Sequence, residues 1–131
     1  MDRSSAYLWI GLGSALGGMG RVWLSGWVTH RFGEAFPWGT LLVNVTGSFL
    51  IGALAAWSAP EGRWLIPPRL SQFLMIGICG GYTTFSSFSL QTLNLVRAGQ
   101  WFYAAGNAVL SLLCCFLFVW LGHLLGQTVN R

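Results

Sequence analysis

Apolar residues fill four long stretches of this chain, at about residues 6–29, 38–58, 70–96 and 102–126. Prolines, glycines and charges interrupt them at 30–37, 59–69 and 97–100. A helix needs about 20 mostly apolar residues to cross a bilayer. The pattern therefore predicts an all-α membrane protein, with four transmembrane helices in a single domain over residues 1–131. Links this short make consecutive helices antiparallel neighbours and place both termini on one side. The stretch GICGGYTTFSSFSLQT at 77–92 departs from the pattern. Inside the third apolar region it sets two glycines, Gly80 and Gly81, and then a run of hydroxyl residues around Phe85 and Phe88. Such a segment predicts a helix broken mid-membrane.

Composition supports lipid as the solvent. Of 131 residues, 54% are hydrophobic and 8% charged, about a third of the charged share of soluble domains. The chain has seven arginines, no lysine and three acids, for a net charge of +4. The arginines are scattered singly, which argues against a nucleic-acid partner and suits lipid headgroups. Three cysteines, Cys79, Cys114 and Cys115, offer neither a disulfide framework nor a metal-binding spacing. They read as small buried hydrophobes. The N-terminus lacks the basic start and cleavage site of a signal peptide, so the first apolar segment is expected to remain in the mature protein. Trp27, Trp38, Trp57, Trp64 and Trp101 fall near the predicted edges, where tryptophan anchors a helix at the interface.

Orientation follows the arginine bias of short loops. The terminal side, with the second loop, carries Arg3, Arg63, Arg69 and Arg131. The opposite side carries Arg31 and Arg97, with Arg21 leaning toward it. This near-balance predicts insertion both ways up and pairing as an antiparallel, dual-topology homodimer. Four helices are few for enclosing a polar path, which also favours an oligomer. Gly13 with Gly17, and Gly122 with Gly126, carry the spacing of close helix packing.

The chemistry at membrane depth is set by an absence. No Asp, Glu or Lys lies within a predicted span, whereas a proton-coupled transporter needs a titratable group there. Small multidrug exporters, the alternative four-helix reading, rely on a glutamate in their first helix. Here that helix offers Ser14, Ser25 and Arg21. No catalytic dyad or metal-ligand constellation favours an enzyme. The polar residues at depth are neutral: Asn44, Thr46, Ser48, the cluster from Thr83 to Ser89, Asn107 and Ser111. Neutral donors can hold an anion loosely enough for it to leave. A break at 80–84 would free carbonyls suited to a small hard cation, and Thr83 or Thr84 could cap the helix beyond it. Phe85 and Phe88 share a helical face, and their electropositive ring edges can meet an anion.

Three motifs make the chain resemble the Fluc/CrcB fluoride channel family: GGYTTFSSFS at 80–89, PWGTLLVNVTGSFLIG at 37–52, and GGMGR at 17–21. The resemblance covers nearly the whole chain, in order. It implies a passive fluoride channel of a bacterial inner membrane, built as an antiparallel dual-topology dimer around a structural sodium ion. It places the sodium on the carbonyls of Gly80 and Thr83. It places the fluoride pathway at Asn44, Thr84, Phe85, Ser87 and Phe88, with Asn107 and Ser111 from the fourth helix. Arg21 matches an arginine that attracts anions at a vestibule. The chain departs from many relatives at Gln91, where they carry an acid, and at Asn107, where some carry a tyrosine.

Overall fold

The structure is a computed structural model, and it describes residues 2–131. It is helical, with no strand among the described residues. Two long helices open the chain, α1 at Arg3–Phe32 and α2 at Trp38–Trp57. The third apolar region divides into several pieces. A short α3 at Pro68–Ser71 runs into a π-helical segment at Gln72–Cys79 and then α4 at Gly80–Tyr82. Beyond two extended residues comes α5 at Phe85–Arg97, and α6 at Trp101–Val129 closes the chain.

Local chemistry sets these boundaries. The Asp2 carboxylate accepts from Ser4 N–H and caps α1. Gly33, at a φ of 84°, ends it, and Gly99, at 75°, makes the turn between α5 and α6. An L side chain is strained in that region of backbone space, and glycine is not. Pro67 and Pro68 open α3, where a missing N–H does no harm.

Glycines then bring the helices together. On one side α1 packs against the π segment and α4. A Cβ at Gly13 would lie 2.9 Å from Gly77 Cα, one at Gly81 would lie 2.8 Å from Ser14 Cα, and one at Gly17 would strike the Ile78 carbonyl. On the other side α2 packs against α6. There Gly52 faces the Val119 carbonyl, Gly122 that of Phe49, and Gly126 that of Ala53. Both glycine pairs noted in the sequence thus lie at close approaches. In each seam residue numbers rise together on the two helices, so the partners run parallel. Gly39 meets Ser25 where α2 turns back along α1.

Few apolar side chains are interior: Val28, Leu41, Val43, Ala56, Cys79 and Ala104. Leucines, phenylalanines and tryptophans face outward along every long helix, with Trp27, Trp38, Trp57 and Trp101 among them, and Trp64 is exposed in the loop before α3. An apolar surface this extensive needs lipid or a partner. Three helical segments among the described residues are long and apolar enough to cross a membrane: Trp38–Trp57, Pro68–Arg97 and Trp101–Val129. The first expected span forms the 30-residue α1, but it falls outside this group. Gly11, Gly13, Gly17, Gly18 and Gly20 dilute its hydropathy, and Gly13 and Gly17 also let it pack closely.

Candidate functional site

The helix does not break at its glycines. Gly80 and Gly81 are helical, and the chain becomes extended at Thr83 and Thr84, where ψ is 153° and 112°. The Thr83 N–H and hydroxyl both bond back to the Cys79 carbonyl, at 3.0 and 2.9 Å. Asn44, on α2, fixes the next residue from both sides. Its Oδ1 accepts Thr84 N–H at 2.7 Å and its Nδ2 donates to the Thr84 carbonyl at 3.0 Å. Thr84 in turn caps α5, its Oγ1 accepting Ser87 N–H at 3.2 Å and donating to Ser87 Oγ at 3.1 Å.

These bonds change which groups are left over. In a continuous α-helix each carbonyl accepts from the N–H four residues on. The donor for the Gly80 carbonyl would be Thr84 N–H, which Asn44 has taken. The donor for the Thr83 carbonyl would be Ser87 N–H, which Thr84 has taken. The two carbonyls singled out in the sequence for a cation are thus deprived of their helical donors by two side chains. Gly80 lies on the exposed face of its helix. Among the described residues no group of three or more His, Cys, Asp or Glu side chains gathers. A cation here would rest on carbonyl oxygen.

Beside the break lies a groove of about 420 Å³ between α2, α5 and α6. Asn44, Thr83, Thr84, Phe85, Phe88 and Ser111 all line it. Of the two Nδ2 protons of Asn44, one is committed to Thr84 and the other remains as a donor. Phe85 is 74% exposed. Its ring centroid lies 5.4 Å from that of Phe88, with the planes inclined at 52°.

The remaining candidates lie around the groove. Ser87 sits behind Thr84, to which it is bonded. Asn107 is not on the groove wall. It is 1% exposed between α5 and α6, donates from Nδ2 to Thr92 Oγ1 at 2.9 Å, and accepts from Ser111 Oγ at 3.5 Å. Arg21 does not line the groove either. It is half-buried on α1, where its Nε has no hydrogen-bond partner among the described residues. A second cleft, of about 470 Å³, lies where the end of α1 meets α5 and includes Thr29, Glu34, Gln91 and Asn94.

Sequence reasoning passed over several residues here. Thr92 joins Asn107 to the Phe88 carbonyl. Its signal is its place one helical turn beyond Phe88. The Tyr82 hydroxyl meets Thr46 Oγ1 at 2.7 Å and ties α4 to α2. Cys79 and Cys115 also face the groove.

Residues 8–123 match the family described as CrcB-like protein, Camphor Resistance (CrcB). A protein of Opitutus terrae named fluoride-specific ion channel FluC is 57% identical, with 96% of each chain covered. One of the same name from Methylocella silvestris is 54% identical, covering 95% of each chain. Another from Rhodospirillum rubrum is 52% identical, covering 95% of this chain and 97% of its own. Family match, relatives and apolar helices agree that this is a multi-pass membrane protein, and the chain belongs to the CrcB-like family.

Proposed function

We propose that the chain is a fluoride-selective ion channel that lets fluoride leave the cytoplasm passively and so lowers its toxicity. In this reading four helices span a bacterial inner membrane, α1 being the least apolar, and the break at Thr83–Thr84 lies at mid-membrane. Two copies in opposite orientation form the channel. Relatives named for fluoride, at up to 57% identity, support the choice of ion. The observation that carries the mechanism is the groove, where neutral donors and aromatic edges meet with no carboxylate or ammonium among them.

Fluoride is small and strongly hydrated, so a path must replace its water with several donors. The free Nδ2 proton of Asn44 and the hydroxyl of Ser111 provide them. Thr84 and Ser87 hold the turn that aims α5, and the ring edges of Phe85 and Phe88 supply positive potential without a formal charge. Neutral partners bind weakly enough for the ion to move on. Arg21 serves as an attractor outside the groove.

The carbonyls of Gly80 and Thr83 fit a sodium ion, since both lack their helical donors and are hard oxygen ligands. When bound, the ion supplies a fixed positive charge in a region without charged side chains. In an antiparallel pair the same two carbonyls come from each copy. The test of function is fluoride efflux from liposomes holding the purified protein. Fluoride should leave under its own gradient, with no proton requirement, and chloride should stay. Comparable chloride flux, or dependence on a proton gradient, would overturn the reading.

A further inference from the structure

Four groups form one hydrogen-bonded chain from α5 to α6. Thr92 Oγ1 bonds to the Phe88 carbonyl at 2.8 Å, Asn107 Nδ2 to Thr92 Oγ1 at 2.9 Å, and Ser111 Oγ to Asn107 Oδ1 at 3.5 Å. Phe88 and Ser111, at its two ends, both line the groove. The direction of the chain is forced from one end. A carbonyl can only accept, so Thr92 must give its single proton to Phe88. Thr92 can then only accept from Asn107, so the amide must turn its nitrogen toward Thr92 and its oxygen toward Ser111. Between two oxygens at the far end, only Ser111 has a proton to give.

We propose that Thr92 is a positioning residue for anion passage, which keeps Ser111 a weak and releasable donor by fixing the direction of this chain. The inference rests on the fluoride-channel reading of the groove. An anion beside Ser111 must draw the hydroxyl proton away from Asn107 Oδ1, and this competition lowers its hold on the ion. The bond being broken is long, so the proton can be drawn away. Without the Thr92 hydroxyl, Asn107 is free to turn over and present Nδ2 to Ser111. Ser111 then accepts from the amide, and its own polarised proton is free for the anion. The ion is held more tightly and leaves more slowly.

Two matched pairs test this, with fluoride flux from liposomes measured against fluoride concentration. Thr and Val share a shape but not a hydroxyl, and so do Ser and Ala. Wild type and Thr92→Ser should behave alike. Thr92→Val and Thr92→Ala should reach half-maximal flux at about tenfold lower fluoride, with a lower maximum, as expected for one hydrogen bond gained. The Ser/Ala pair keeps the comparison intact where Val disturbs packing, and gel filtration against wild type checks assembly. In a Ser111→Ala background, Thr92→Val should shift nothing further. The proposal is overturned by equal half-saturation in all four proteins, by grouping according to shape, by a rise in half-saturation when the hydroxyl is lost, or by a shift that persists without Ser111. Wild-type protein that passes no fluoride defeats the channel reading itself. Wild-type flux with no shift defeats only the role of Thr92.

Discussion

Asn44 and Asn130 use the same chemistry at two very different places. Each side-chain amide accepts a distant backbone N–H and donates to a distant carbonyl. Asn44 does both with Thr84, and Asn130 takes Trp64 N–H at 2.7 Å and gives to the Trp57 carbonyl at 2.8 Å. The difference lies in what each bond leaves behind. At the break, Asn44 captures an N–H that a helix would have used, and the Gly80 carbonyl is left without its helical donor. At the chain's end, Asn130 captures an N–H from a loop that no helix claims. The polar bond is equivalent at the two sites, and only at the first does it take a donor from a helical carbonyl.

The largest expected effect tests whether that difference is real. Asn44→Asp keeps an oxygen for Thr84 N–H but turns a second one toward the Thr84 carbonyl. It also adds a negative charge to the groove. At 4 Å and an effective dielectric near 20, like charges oppose each other by about 4 kcal/mol. Fluoride flux should fall by about 100-fold or more, since about 1.4 kcal/mol is a factor of ten. The same exchange at Asn130 should leave flux within about twofold. Equal losses at both sites would erase the distinction.

A smaller effect is expected one bond further on. Thr84→Val removes the oxygen that holds Ser87 N–H away from the Thr83 carbonyl. The N–H can return to its helical partner, which closes half of the proposed cation site. An N-cap loss is about 1 kcal/mol, and a misplaced α5 adds to it, so flux should fall about tenfold. Thr84→Ser keeps the cap and should conduct. A Val variant with full flux would show that the freed Thr83 carbonyl is idle.

Phe85→Ile and Phe88→Ile sharpen the comparison from the side of the groove. Both keep apolar bulk and remove the ring edge. Aromatic electrostatics are worth about 0.5–1.5 kcal/mol beyond burial, so each variant should lose about threefold to tenfold in flux with assembly unchanged. Unaltered flux in both would return the two rings to plain packing.

Much of this was legible in sequence, and the exceptions have a common cause. Apolar runs outlined the helices because each run reports on its own length and solvent. Threonine at 83 and 84 was legible as a helix cap, because capping is local, and Thr84 does cap α5. The glycines at 80 and 81 misled in detail. The expected break ran over 80–84, yet within it the glycines are helical, Gly81 lets α4 approach Ser14, and only the threonines are extended. Asn44 was legible as a residue with a polar task but not as the partner of Thr84, which is 40 positions away. Asn107 read as a donor on the pathway, yet it is not on the groove wall and gives an Nδ2 proton to Thr92. The widening of the helix at Gln72–Cys79, where Gly80 N–H reaches the Met75 carbonyl, left no local signal. Side chains that bond across helices depend on a register that only the packed molecule sets.

The smallest effect belongs to the far end. Asn130→Ala removes both amide bonds and the side chain that sits over Gly62, where no Cβ could fit. Asn130 is itself 5% exposed, so its partners lose a sheltered contact. Trp57 and Trp64 are exposed, however, and water or headgroups can reach the groups set free. Such replacement keeps the loss near the net value of a hydrogen bond or two, about 1–2 kcal/mol. The Arg63 N–H still bonds to the backbone carbonyl of residue 130, because that bond needs no side chain. Thermal unfolding in detergent should therefore begin earlier for Asn130→Ala than for wild type, while fluoride flux at room temperature stays the same. A variant that melts like wild type would show that the amide adds nothing there. One that melts normally but conducts poorly would mean that the end of α6 communicates with the groove along the glycine seam with α2, and the two asparagines would then share a function as well as a chemistry.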